Sequence, residues 1–422
     1  MKPRLEERRE RIAEAWDLKD EIVLIGAGEP IPIPGAGDQT YPFRSHPEYF
    51  YLTDQECAGG VLAYDPKAGW TDFVPTVTER ERVWEGAIQA PGTSLSLLGA
   101  WVAARRGRTL ALLGCELPGF RADAARGAAL REQMTHARRA KDPAEIARIR
   151  EAARATAAGY EAGRAAIRPG ASERAIALEL ETGFRRGGGD GPGYHTIVGS
   201  GPNAAVLHFM PTARVVGGED FVLVDAAAEV RRYCCDVTRT YPGGGSFTPR
   251  QRDLYELVLG VEERAVGRCN AGTEFVEVHH QASRETTSGL IALGLLRGDV
   301  DTLIEREVTE LFFPHGIGHF VGLGVRDAGG KLPGREPRKD TRYRLQRTDL
   351  PLEPGYVITI EPGIYFIPAL LESPERRTKF ADAVVWSEVD RWLPQGGVRI
   401  EDTVHVTPHG PENLTASIPK GI

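Results

Sequence analysis

FVLVDAAAEVRRYCCDVTRTY, residues 221–241, decides how this chain is read. Two apolar, strand-like runs each carry one aspartate, Asp225 and Asp236, and a short polar turn at Glu229-Val230-Arg231-Arg232 joins them. The expectation is a hairpin that sets the two aspartates across from each other. A carboxylate inside an apolar strand is costly unless it is paired, hydrogen-bonded or bound to a metal. A single such residue reads as a structural hydrogen-bonder. Two on neighbouring strands open a metal reading beside it.

The same anomaly recurs downstream. Glu361 interrupts the β-branched run VITIEPGIYFI (357–367), and Glu401 interrupts GGVRIEDTVHV (396–406). Between them and the aspartates lies FFPHGIGHFVGLGVRD (312–327), where His315 and His319 are four positions apart. Gly316 and Gly318 argue against a helical metal pair and place the histidines on a loop or strand edge. Taken alone, a histidine there is a satisfied core residue. Four carboxylates embedded in apolar strands beside it repel one another unless cations sit among them. Two divalent ions resolve the conflict, and an oxygen-rich set with a single nitrogen suits Mn²⁺, Co²⁺ or Zn²⁺ rather than a thiolate-type structural zinc.

The rest of the sequence is compatible with a soluble enzyme. The 422 residues make two or three domains at roughly 100–200 residues each. Acidic side chains outnumber basic ones 59 to 52, and the basic runs are short and interleaved with acids, so nucleic acid is not the expected partner. No stretch approaches the roughly 20 apolar residues of a membrane span, and the charged N-terminus lacks a signal-peptide core, which makes the cytoplasm the expected compartment. Five cysteines without a C-x-x-C pair read as reduced thiols. The 49 glycines and 29 prolines argue for many tight turns between short strands. VLIGAGEP (23–30) resembles the start of a dinucleotide-binding turn, but Pro30, Pro32 and Pro34 forbid the helix that would hold the pyrophosphate. Asp142 and Pro143 open a long helix, which Pro169-Gly170 stops, and a second helix starts at Ser172. The division is therefore into two α/β domains, 1–140 and 141–422.

The ordered set Asp225-x10-Asp236, HGIGH, EPGIY and GVRIED resembles the pita-bread metallopeptidases, which comprise methionine aminopeptidase, aminopeptidase P and prolidase, over residues 141–418. KDPAEIARIREA (141–152), TIVGSGPNAAVLH (196–208) and CCDVTRTYPGGG (234–245) resemble the proline-specific branch. DQTYPFRSHPEYFYLT (38–53) and VWEG (83–86) resemble the smaller N-terminal domain of aminopeptidase P. The resemblance implies Asp225, Asp236, His319, Glu361 and Glu401 as ligands of two divalent ions, Mn²⁺ first, with Asp236 and Glu401 bridging. It implies a metal-bridging hydroxide as nucleophile and Glu361 as proton shuttle. His208 would contact substrate near the scissile bond, Tyr194, Tyr365 and Arg399 would line or support the pocket, and His315 would be structural. A homodimer acting on small Xaa-Pro peptides is also implied.

One position departs from the pattern. Seven residues past the ligand histidine the family carries a histidine that donates to the scissile carbonyl, whereas this chain has Arg326. Arginine can donate to the same oxygen, hold a substrate carboxylate, or turn away and pair with Asp327. The segments 329–355 and 367–397 resemble prolidase, and Arg347 falls where prolidases place an arginine for the C-terminal carboxylate of Xaa-Pro. The expectation is therefore an Xaa-Pro dipeptidase. The alternatives are an Xaa-Pro aminopeptidase, a carboxypeptidase releasing C-terminal proline, and a non-catalytic binding protein on the same fold.

Overall fold

The computed structural model describes residues 4–336 and 346–421, and they divide into two compact units between Arg138 and Arg139. In the first unit the strand Ile22–Gly26 is buried at every position, as a strand covered on both faces requires. It lies between Val61–Asp65, antiparallel, and Leu110–Gly114, parallel. Gly69–Val74 and Thr93–Ser94 complete a five-stranded sheet. Trp16, at the end of helix Leu5–Trp16, packs its ring 5.9 Å from Tyr64 and 5.7 Å from Trp70. After Gly26 no helix forms until Pro47–Thr53, as the three prolines demand. Asp65 is buried between Arg105 at 2.7 Å and Arg108 at 2.9 Å.

The second unit opens with helix Pro143–Ala166, whose Asp142 cap and Glu145 form a capping box. Helix Glu173–Arg186 follows, capped by Ser172. The two helices cross closely: a side chain at Gly183 would place Cβ 2.6 Å from the Cα of Gly159, so glycine is required at the crossing. Helices Pro249–Gly267 and Phe275–Ala292 come next. Among the described residues no helix is long and apolar enough to cross a membrane. All five cysteines are free thiols.

Three small sheets carry the polar residues singled out above. Phe221–Asp225 is the middle strand between Ile197–Ser200 and Thr238–Pro242. Val357–Ile360 pairs with Asp402–Thr407, and Gly363–Tyr365 pairs with Gly397–Arg399. The hairpin expected to set Asp225 opposite Asp236 has a different register. Thr238 is the partner of Asp225. The turn at Arg231-Arg232 closes a separate short ladder, Ala228–Val230 with Tyr233–Cys234. Both turn residues have positive φ, 48° and 71°, the backbone that a two-residue hairpin turn needs. The long ladder resumes only after this excursion, so Asp236 lies just before it.

Two apolar clusters hold the breaks that carry Glu361 and Glu401. Ile360 and Val404 belong to one, with Phe275, Phe320 and Ile358. Ile364 and Ile400 belong to the other, with Phe221, Phe312 and Phe366. Glu361 and Glu401 thus sit where the chain passes from one packed cluster to the next.

Candidate metal centre and substrate cavity

Glu361 and Glu401 occupy interruptions between strands, and their backbones are fixed from elsewhere. Glu361 N–H donates to the Ile317 carbonyl at 2.8 Å, and Glu401 N–H to the Thr238 carbonyl at 3.0 Å. His319 N–H donates to Thr359 Oγ1 at 3.0 Å, and Thr359 N–H returns a bond to the His319 carbonyl at 2.8 Å. This mutual clasp explains the second glycine of HGIGH. A Cβ at Gly318 would fall on the Thr359 carbonyl, so only glycine lets His319 approach that strand. Asp236 N–H is held by Thr403 Oγ1 at 2.8 Å.

These anchors bring the expected residues together. Donor atoms of Asp236, His319 and Glu401, all buried, lie within 4.8 Å of one another. His319 Nε2 is 3.4 Å from Asp236 Oδ2 and 3.8 Å from Glu361 Oε1. Asp225 stands slightly apart: its Oδ1 accepts from Tyr194 Oη at 2.8 Å and its Oδ2 from Arg399 Nη2 at 2.6 Å. All five line one cavity of about 540 Å³, together with Tyr194, His208, His315, Arg326, Arg347 and Arg399.

Tyr365 does not line the cavity. It is wholly buried, because its hydroxyl accepts from Arg399 Nη1 at 2.9 Å and lies 2.9 Å from His315 Nε2. Arginine can only donate, so the Tyr365 proton goes to His315 Nε2, while Nδ1–H faces the Gly316 carbonyl at 2.9 Å. His315 is therefore a neutral acceptor, and burial, helped by Arg399, lowers its pKa to about 3. Arg399 Nε completes the chain by donating to Thr238 Oγ1 at 3.0 Å, which donates to Glu401 Oε2 at 2.6 Å. Arg326 is on the cavity wall, while Asp327 pairs with the buried Lys141 at 2.7 Å. Residues 337–345, within the segment that resembles prolidase, lie outside the described residues; Arg347 is described.

The site fits divalent cations. Asp236 Oδ1 is buried without a hydrogen-bond partner, an orphan acceptor on a residue of that cluster. Burial pushes the Asp225 carboxyl up to about 6 and the Glu361 carboxyl up to about 7, and it raises Glu401 well above the usual carboxylate range, with Asp236 and Glu361 adding repulsion. Such crowding is what a bound cation relieves. His208, by contrast, has its pKa lowered by burial and by Arg399, Arg326 and Arg347, so its imidazole is neutral at pH 7.

The sequence reading missed two residues. Thr238 bonds the Glu401 carboxylate, yet threonine is unremarkable in a strand. Arg239, wholly buried, donates Nη1 to the Glu401 carbonyl at 2.6 Å and Nη2 to Asp402 at 2.7 Å. It was detectable by the same signal as Asp225, a charge in an apolar strand. Lys420 reaches the same Asp402 at 2.8 Å and Glu262 at 2.7 Å.

Comparison with known proteins gives a consistent picture. The sequence model of metallopeptidase family M24 matches residues 147–408, and that of the aminopeptidase P N-terminal domain matches residues 5–104. A probable Xaa-Pro aminopeptidase of Penicillium rubens is 32% identical over 420 residues, covering 91% of this chain and 88% of the relative. Another from Aspergillus terreus is 33% identical over 411 residues, covering 90% and 87%. Among solved structures, Pseudomonas aeruginosa aminopeptidase PepP superposes with a TM-score of 0.81 at 27% identity, covering 100% of this chain and 96% of that one. Escherichia coli aminopeptidase P with the inhibitor Pro-Leu gives 0.79 at 28% identity, covering 100% and 97%.

Proposed function

Because this chain belongs to metallopeptidase family M24 and carries an aminopeptidase P N-terminal domain, we propose that it is a divalent-metal-dependent Xaa-Pro aminopeptidase. Its reaction removes the residue that precedes proline at a peptide N-terminus. The observation that carries this reading is the convergence of five metal-type side chains on one cavity, with Asp236 Oδ1 buried and unpartnered. The names of the relatives favour the aminopeptidase over the dipeptidase.

Asp225, Asp236, His319, Glu361 and Glu401 would hold two ions, and Mn²⁺ suits this set of four carboxylates and one imidazole. When bound, such ions polarise a carbonyl and lower the pKa of water to near 7. The chain's own groups complete the chemistry. Glu361, on the cavity wall beside His319, would take the proton given up by the attacking water on its free carboxylate oxygen and deliver it to the departing proline nitrogen. His208, neutral and on the cavity wall, donates a hydrogen bond to the oxygen of the scissile carbonyl as negative charge develops there. Arg399, Tyr194 and Thr238 orient Asp225 and Glu401 and exclude their alternative rotamers.

A second reading, the Xaa-Pro dipeptidase, is favoured by Arg347 on the cavity wall, where it would hold the carboxylate of a free proline. Product analysis with Xaa-Pro, Xaa-Pro-Xaa and N-blocked Xaa-Xaa-Pro peptides in Mn²⁺ separates these outcomes. Release of the first residue from the tripeptide supports the aminopeptidase. Turnover of the dipeptide alone makes the enzyme a prolidase, release of proline from the blocked peptide makes it a carboxypeptidase, and turnover of none sinks the peptidase reading. Location in the cytoplasm and a homodimeric state belong to the same proposal.

A further inference from the structure

Glu173 is a wholly buried carboxylate outside the metal cluster, at the first position of helix Glu173–Arg186. A glutamate there is ordinarily a solvated partner of the helix dipole. Here its two oxygens accept five hydrogen bonds instead. Oε1 takes Ser200 N–H at 2.9 Å, Ser200 Oγ at 2.9 Å and Asn203 Nδ2 at 2.8 Å. Oε2 takes Thr212 N–H at 3.0 Å and Thr212 Oγ1 at 2.6 Å.

Ser200 and Thr212 are the two feet of one arc. Between them the chain makes a 3₁₀ turn at Gly201–Ala205 and then carries Leu207, His208 and Met210 onto the cavity wall. The feet are braced once more by Arg214, whose Nη1 donates to Ser200 Oγ at 2.7 Å and pairs with Asp220 at 2.6 Å. Gly201, at φ 52°, leaves room for that guanidinium, which a Cβ would meet at 2.7 Å. Among the described residues no side chain hydrogen-bonds the His208 imidazole, so the backbone of the arc sets its place. Burial alone would raise the Glu173 carboxyl, but donors from Thr212, Asn203 and Ser200 outweigh it and keep the group ionised.

We propose that Glu173 is a positioning residue for the peptidase reaction, clamping both feet of the 200–212 arc so that His208 meets the scissile carbonyl. The inference rests on the proposed peptidase activity. A buried ion retained here fixes the arc to one register, because a neutral amide cannot accept all five donors. Glu173→Gln turns one oxygen into an NH₂ group and leaves at least two donors unmatched. Displacement of a catalytic group by about 1 Å costs up to about 100-fold in rate.

The test is a double-mutant cycle with His208→Ala, read with an Xaa-Pro substrate, alongside hydrogen exchange of the Mn²⁺-loaded protein. Glu173→Gln is expected to lower kcat/KM about 10- to 100-fold in the parent, mainly through kcat, and less than about twofold in the His208→Ala background. Amides of residues 200–212 are expected to exchange faster while the rest of the unit is unchanged. An equal loss in both backgrounds, or unaltered exchange in the arc, overturns the proposal. If Glu173→Gln fails to fold, Thr212→Val removes the 2.6 Å donor to Glu173 together with the acceptor of the Arg214 N–H at 3.1 Å, keeps the other four donors to Glu173, and must show the same pattern at smaller amplitude. Absence of Xaa-Pro cleavage by the parent protein overturns the peptidase reading, whereas the exchange data still decide whether Glu173 clamps the arc.

Discussion

Arg399 Nη2 lies 2.6 Å from Asp225 Oδ2, with only 4% and 11% of the two side chains exposed. The same guanidinium also serves Thr238 and Tyr365. Removing one partner of a buried pair costs about 3–5 kcal/mol, so Arg399→Met should lower the unfolding free energy of the metal-free protein by about that amount in urea. Arg399→Lys should recover little, since a point charge cannot make the three directed bonds. A loss below about 1 kcal/mol would place this pair with ordinary surface bridges.

Asp236→Asn is expected to separate stability from function. The metal-free protein should melt a few degrees higher, because one of several mutually repelling buried carboxylates has been neutralised. The rise in melting temperature that Mn²⁺ gives the parent should vanish, and activity should fall at least about 100-fold. Thermal melts with and without Mn²⁺ read both effects, and a retained Mn²⁺ response would remove Asp236 from the ligand set.

In the N-terminal unit, Arg108 holds the Asp65 carboxyl well below the usual carboxylate range despite its burial. The unfolded chain titrates this group near 3.9. The pair's stabilisation is therefore complete above that pH and is lost as pH falls through the depressed folded value. Asp65→Asn should melt several degrees lower at pH 7, and its gap from the parent should shrink steadily below about pH 4. A constant gap across a pH series would mean that the ionised form contributes nothing.

Gly318→Ala is expected to weaken Mn²⁺ binding at least about tenfold, since the new methyl group must push the His319 backbone off Thr359. Gly267→Ala, at the end of a helix with nothing within 4 Å of its Cβ, is the contrasting substitution and should be neutral or slightly stabilising. Calorimetric titration of both variants with Mn²⁺ makes the comparison.

Arg347→Ala should raise KM for an Xaa-Pro dipeptide about tenfold, the worth of one exposed charge-assisted contact. It should leave a long Xaa-Pro peptide nearly unaffected. Equal effects on both would detach Arg347 from any carboxylate.

The clustering of these side chains in one cavity was legible because a charged residue in an apolar run has few harmless explanations, and Asp225, Glu361 and Glu401 each present that anomaly. The helix bounded by Asp142 and Pro169-Gly170 was legible because its caps are local. Register was not: the positive-φ pair Arg231-Arg232 carries no glycine or asparagine to advertise the excursion that moves Asp236 out of line with Asp225. Glu173 was hidden for a different reason. A glutamate beginning a helix looks satisfied by its own position, and the partners that bury it are 27, 30 and 39 residues away. The resemblance left open whether Tyr365 lines or supports the pocket; its bonds to Arg399 and His315 put it behind the wall.

The bond from Thr238 to Glu401 joins residues 163 positions apart, and this fixes when the centre can come into being. On a ribosome the aspartates emerge long before the second glutamate and the Ile418 and Lys420 contacts that steady Arg239 and Asp402. A nascent chain consequently presents only part of the candidate ligand set. The five candidate ligands exist as a set only once both halves of this unit have folded against each other, so any ion the site takes is a guest of the folded protein.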